Sequence, residues 1–230
     1  METISPLTYE TRQLDLKIGD ESFKIECIRD LNKTIDDLFA VLEKKGNVRL
    51  LEELCPYFGV IWPSARGLTE YIASQFPIRF DELRILEVGC GLALPSLYCA
   101  RKGAEVTATD FHPEVPNFLA KNIALNQIKS LNFKSVNWTD VSAAPPPHLR
   151  YNWVIGSDIL YESQHPEPVA KALAAFVRPG GTVLLADPAR PYLQSFSDAM
   201  AKLGFKEETH VVRVPDDHGM KDIFILKLTK

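Results

Sequence analysis

Apolar and polar positions follow two different rhythms along this chain, and the change falls near Arg84. From Thr8 to Arg29 they alternate with a period of two on both sides of "IGDES", where Gly19 and Asp20 supply turn chemistry, so the pattern predicts an N-terminal β-hairpin. "NKTIDDLFAVLE" then predicts a helix, with Thr34 as its cap and acidic residues in its first turn. A connecting stretch leads into "CPYFGVIWPSARGLTEYIASQ", which reads as an amphipathic helix from Leu68, with Leu68, Tyr71 and Ile72 on one face.

Beyond Arg84, short apolar strands each precede a helical pattern: "RILEV" before "PSLYCARKG", and "EVTATD" before "VPNFLAKNIALNQ". The rhythm continues through "LNFKSV", "WVIGSD" with a helix from about Glu167 to Phe176, and "TVLLAD" with "YLQSFSDAMAKLG". "FKEETHVVRV" and "DIFILKL", joined by the polar "PDDHGM", read as an antiparallel pair. The expected fold is α/β: a Rossmann-like, seven-stranded sheet with helices on both faces, a C-terminal antiparallel hairpin, and an N-terminal β-hairpin plus helices. The expected division is residues 1–83 packed on a Rossmann-like domain of residues 84–230. The proline-rich "SAAPPPHLR" predicts an exposed loop, and no internal repeat is visible.

Composition narrows the classes. With 46% hydrophobic and 24% charged residues the chain reads as globular, and a formal charge of -4 gives no general attraction to nucleic acid or anionic lipid. No apolar run approaches the roughly 20 residues of a spanning helix, and "METISPLTYE" does not read as a secretory signal, so a cytoplasmic location is expected. Cys27, Cys55, Cys90 and Cys99 form no CxxC pair and the five histidines are scattered, so the thiols are expected reduced and no metal site is expected.

In an open doubly wound sheet the ligand crevice lies at the carboxyl ends of the strands. Three of the expected strands finish on aspartate, namely Asp110, Asp158 and Asp187, and the first runs into "EVGCGLALP". A dinucleotide fingerprint needs a small sixth residue, and Leu94 stands there. The alternative is the ExGxGxG motif of S-adenosylmethionine enzymes, with Glu87, Gly89 and Gly91 in place and Ala93 where the third glycine usually sits. Asp110 lies where a carboxylate would take the ribose hydroxyls. Trp138, after the third strand, is open between an adenine wall and a core indole, and Asp140 between an adenine acceptor and a turn residue. Asp187 and Arg190 are open between a substrate groove and a surface ion pair.

These segments together resemble a known family, the seven-β-strand S-adenosylmethionine-dependent protein lysine methyltransferases similar to the electron-transfer-flavoprotein β-subunit lysine methyltransferase. The resemblance covers most of the chain: "GVIWPSARGLTEYI", "LEVGCGLALPSL", "VTATDFHP", the asparagines of "NIALN", "VNWTD", and "SDILYE" with its aspartate and aromatic three residues apart. It implies that Trp62 lines the cofactor pocket, Glu87, Gly89 and Gly91 form the motif turn, Asp110 holds the ribose and Trp138 the adenine. Asp158 and Tyr161 would face the methyl group and the incoming amine, Asp158 thereby also bordering the cofactor. "LADPARPYL" looks like the fifth-strand segment of the flavoprotein-modifying branch, whereas "GCGLALP" is closer to other members.

The implied partner is a protein presenting a lysine to a monomeric enzyme. Two other readings stand beside it: a small-molecule, nicotinamide-type N-methyltransferase, and a non-catalytic cofactor-binding module. For Asp158 and Tyr161 the bland alternative is a carboxylate capping the following turn and a phenol packed on the sheet edge.

Overall fold

The computed structural model describes residues 8–75, 77–138, 144–217 and 219–230. Strands β1 (Thr11–Ile18) and β2 (Glu21–Ile28) form the N-terminal hairpin, in full register from Thr11 opposite Ile28 to Ile18 opposite Glu21. Helices α1 (Leu31–Lys44), the single turn α2 (Leu51–Leu54) and α3 (Pro63–Ser74) follow. The remainder runs β3 (Arg84–Val88), α4 (Leu94–Arg101), β4 (Glu105–Asp110), α5 (Val115–Leu125), β5 (Asn132–Ser135), β6 (Tyr151–Ser157), α6 (Pro166–Phe176), β7 (Val177–Asp187), α7 (Leu193–Lys202), β8 (Lys206–Asp216) and β9 (Gly219–Thr229).

The seven-stranded sheet has the order β5-β4-β3-β6-β7-β9-β8. β5 through β7 are mutually parallel, and β9 and β8 close the far edge antiparallel. The chain winds one way from β3 to β5 and the other way from β6 onward, so the topological switch lies between β3 and β6. Strand alternation feeds two cores. Ile85, Ile155, Leu184 and Ala186 face one way, with α3, α4, α5 and the hairpin. Leu86, Val88, Val154, Val183 and Leu185 face the other, with α6 and α7. Glu87 lies in the pleat on the same side as Ile85, which is why a carboxylate is carried into the interior beneath α4.

Two asparagines hold the hairpin to the sheet domain. Asn122 accepts the Glu26 N–H at 2.7 Å and donates to the Glu26 carbonyl at 3.3 Å. Asn126, one helical turn on, does the same for Lys24 at 3.0 and 2.7 Å. Side chains at i and i+4 of α5 thus match residues two apart on β2, satisfying a strand edge that would otherwise be unpaired.

Several boundaries differ from the sequence expectation. Helix α1 is capped by Asp30, whose carboxylate accepts the Lys33 N–H at 3.0 Å; Thr34 lies inside the helix and donates its hydroxyl to the Asp30 carbonyl at 2.7 Å. No acidic residue stands in its first turn. Helix α3 begins at Pro63 rather than Leu68, because a proline at the first helical position loses no bond there. Leu68, Tyr71 and Ile72 are buried on its inner face. β7 begins at Val177, with "VRPGG" drawn into the strand through an irregularity opposite Tyr151 and Trp153. Among the described residues no helix is long and apolar enough to cross a membrane, and no cluster of metal-ligating side chains occurs. All four cysteines are free thiols.

Candidate cofactor and amine site

The turn after β3 is shaped by its neighbours. Gly89 and Gly91 have φ of 64° and 50°, where side chains are disfavoured. A Cβ on Gly89 would lie 2.7 Å from both Ile159 and the Trp138 ring, and one on Gly91 would lie 3.1 Å from the Phe58 carbonyl. Ala93, at the third glycine position, keeps the left-handed conformation with φ 59° and caps α4. Such a backbone costs an L-residue roughly 1–2 kcal/mol. Asp158 and Ala189 share it, with φ of 59° and 64°, so the backbone is strained just after β3, β6 and β7 alike.

Glu87 is fully buried and accepts the Ser96 N–H at 3.0 Å, while its other oxygen, Oε1, has no partner among the described residues. Burial pushes its pKa up to about 8, against the lowering effect of Ser96. Asp110 accepts the Gly91 N–H at 2.9 Å and the His112 N–H at 3.0 Å, one on each oxygen, which fixes the carboxylate over the turn with lone pairs to spare. Trp138 is half-buried, with its indole against Gly89 and its edge toward Tyr161 and His165. It also packs against the core on the α6 and α7 side of the sheet. Asp140 lies outside the described residues.

The segment before α3 covers this turn. Trp62, half-buried, donates its indole N–H to the Tyr57 carbonyl at 2.9 Å, with the two rings 6.3 Å apart. His112 fastens the same segment: its ring lies 4.2 Å from Phe58, its Nε2 is 3.2 Å from the Leu54 carbonyl, and its Nδ1 accepts the Glu114 N–H at 3.1 Å. Those partners suit the neutral tautomer, and burial lowers the ring's pKa accordingly. Neither Phe58 nor His112 stands out in the sequence, because their contact joins segments far apart in the chain.

Asp158 does not cap the turn that follows it. Its Oδ2 accepts the Ser64 N–H of α3 at 3.3 Å and its Oδ1 pairs with Arg190. Arg190 also reaches Asp187 Oδ2 at 3.0 Å and donates its backbone N–H to Asp187 Oδ1 at 2.7 Å. Asp187 is 1% exposed, so this is a buried bridge between two strand ends and not a surface ion pair. Burial raises the Asp187 pKa, opposed by Arg190. Tyr161 is 46% exposed and meets His165 edge-on at 4.5 Å. Its phenol is pushed up to about 12, first by desolvation and then by the Glu162 and Asp110 carboxylates. The phenol is a hydrogen-bond donor at any physiological pH.

Gly89, Gly91, Asp110, Trp138, Asp158 and Tyr161 thus lie near one another after the ends of β3, β4 and β6, with Glu87 buried beneath the turn, while Trp62 contacts Tyr57 at the start of α3. The site offers a backbone turn without side chains, an anchored carboxylate and an aromatic wall, above a buried carboxyl group. Such a donor and acceptor set fits a cationic nucleoside cofactor. Ser64 Oγ, next to Asp158, is buried without a partner among the described residues.

Residues 47–201 match a family model described as lysine methyltransferase, and the chain belongs to that family. Among curated proteins it is 31% identical over 135 residues to the histone-arginine methyltransferase METTL23 of Xenopus laevis, covering 55% of each chain. It is 34% identical over 134 residues to a ubiquinone biosynthesis O-methyltransferase of Aeromonas salmonicida, covering 54% of this chain and 55% of that one. The chain spans about half the length of the curated relatives it matches. A solved 16S rRNA methyltransferase of T. thermophilus, in complex with AdoMet and guanosine, aligns with a TM-score of 0.61 at 16% identity, over 96% of this chain and 51% of that one. Family and fold together place the chain in the lysine methyltransferase family with the class I methyltransferase fold; the flavoprotein-modifying branch is not singled out.

Proposed function

We propose that this chain transfers a methyl group from S-adenosylmethionine to the side-chain nitrogen of a lysine in a protein substrate. The observation that carries the proposal is the contact of Gly89 with Ile159, which brings the "DILY" segment against the "EVGCG" turn. On this reading Gly89 and Gly91 leave room for the cofactor, Glu87 borders it from beneath the turn, Asp110 binds it, and Trp62 and Trp138 wall it in. When bound, the cofactor supplies an electrophilic methyl on a sulfonium.

The residues of the chain have three tasks: to align the amine behind that methyl, to exclude water, and to receive a nitrogen in its neutral form. Lysine has a reference pKa of about 10.4, so deprotonation at pH 7 costs about 4 to 5 kcal/mol unless the pocket lowers it. Asp158, fixed by Ser64 and Arg190, guides the cationic side chain in and then orients the amine. Its negative charge favours the ammonium, so its role is positioning and not strong basicity. Tyr161 adds a π face and a hydroxyl donor beside the cationic centres. A reducing compartment such as the cytoplasm suits the four free thiols.

The test is incubation of the purified chain with methyl-labelled cofactor and a cell extract, followed by hydrolysis of the protein fraction. Label should appear in discrete protein bands and elute as methyl-lysine. Label confined to small molecules or RNA would sink the proposal.

A further inference from the structure

Arg190 already occupies the place at Asp158 where a substrate cation would be expected. Asp158 has two oxygens: Oδ1 is held by the Arg190 guanidinium and Oδ2 by the Ser64 N–H at 3.3 Å. Only 8% of the Asp158 side-chain surface is accessible. The guanidinium cannot readily swing away, because its Nη1 is bound to buried Asp187 at 3.0 Å and its own backbone N–H is bound there at 2.7 Å. Asp158 is fixed in turn by its N–H, donated to the Ala186 carbonyl at 3.0 Å.

A substrate guanidinium is recognised by two parallel N–H donors meeting both oxygens of a carboxylate, a geometry an alkyl ammonium does not need. An ammonium or amine is a compact group that one remaining lone pair can hold. We propose that Arg190 is a specificity-determining residue: by holding Asp158 Oδ1 from within the protein, it denies that carboxylate the fork of an arginine and leaves it to a lysine amine. The inference rests on the protein-lysine reading above and assigns its selectivity to one side chain. The chain supplies its own guanidinium where an arginine-modifying site would have to receive one.

The experiment compares wild type, Arg190→Lys, and the double substitution Arg190→Gln with Asp187→Asn, which avoids stranding the buried Asp187 charge. Each is incubated with methyl-labelled cofactor and total cell protein, and the hydrolysed protein is separated into methyl-lysine and methyl-arginine. A thermal-shift response to S-adenosylhomocysteine checks that each variant keeps its cofactor pocket. Wild type should give methyl-lysine. The double variant should lower the ratio of methyl-lysine to methyl-arginine at least tenfold, with Arg190→Lys between the two. An unchanged ratio in both variants, whatever the loss in total label, would show that Arg190 has only a structural role and overturn the inference while leaving the lysine reading intact. Wild-type label in methyl-arginine alone, or none in protein, would overturn both.

Discussion

Glu87 accepts the backbone N–H of Ser96 on one carboxyl oxygen and keeps the other buried without a partner among the described residues. A carboxyl group in that state carries an uncompensated desolvation cost within the fold. Its folded pKa of about 8 lies above the unfolded value of 4.5. Below the unfolded pKa the group is protonated in both states and adds no pH-dependent cost. As pH rises from there to about 8, the unfolded chain ionises while the folded one resists, so stability falls across that window. Glu87→Gln should therefore raise stability at pH 8 by on the order of a few kcal/mol, flatten its pH dependence between 5 and 8, and weaken cofactor binding. Urea unfolding at several pH values, with calorimetric titration of S-adenosylhomocysteine, checks all three effects.

Asp110 draws together the Gly91 and His112 amides, so its loss should disturb the turn and, on the proposed reading, the hold on the cofactor's ribose. Asp110→Ala should weaken cofactor binding by about 100-fold, the effect of losing two charge-assisted hydrogen bonds at ~1.5 kcal/mol each. Asp110→Asn can accept from only one of the two amides and should lose less. Equilibrium binding of labelled cofactor decides it, and unchanged affinity in the alanine variant would remove Asp110 from the site.

The asparagines of "NIALN" make a prediction about the hairpin. Asn122→Ala leaves the Glu26 N–H and carbonyl without partners, and Asn126→Ala does the same at Lys24. Each should destabilise the protein by ~1–3 kcal/mol. Amide hydrogen exchange should accelerate at Glu26 in the first variant and at Lys24 in the second, with little change in the amides of β3.

Much of the architecture was legible because strand alternation and βα punctuation are local. Ile85 and Leu86 already point to opposite cores in the sequence, and the glycines and aspartates at strand ends mark the crevice. Relationships across the chain were less visible. Nothing near Asp158 announces that Ser64, 94 residues earlier, supplies its hydrogen bond, or that His112 fastens the Phe58 segment. The Asp187 and Arg190 pair was visible as a spacing, but its burial depends on β7 lying beside β6, a tertiary fact. Helix boundaries moved where capping chemistry was misjudged, with Asp30 outcompeting Thr34 because a carboxylate one residue before the helix reaches the free amides directly.

Asp158 and Tyr161 allow positioning and proton removal to be separated. If Asp158 only aligns the amine, Asp158→Asn should lower kcat/KM by about 100-fold, equivalent to ~3 kcal/mol of transition-state stabilisation, and by the same factor at every pH. A carboxylate acting as general base would instead change the slope of the pH–rate profile when removed. Tyr161 has its phenol pushed up to about 12 and should contribute no titration below pH 10, so Tyr161→Phe should scale the profile down without moving it. The loss should be smaller, about tenfold, because the ring that faces the cation is retained. Steady-state kinetics of both variants between pH 6 and 10 provides the measurement, and a changed slope in Asp158→Asn would reassign that residue from positioning the amine to taking its proton.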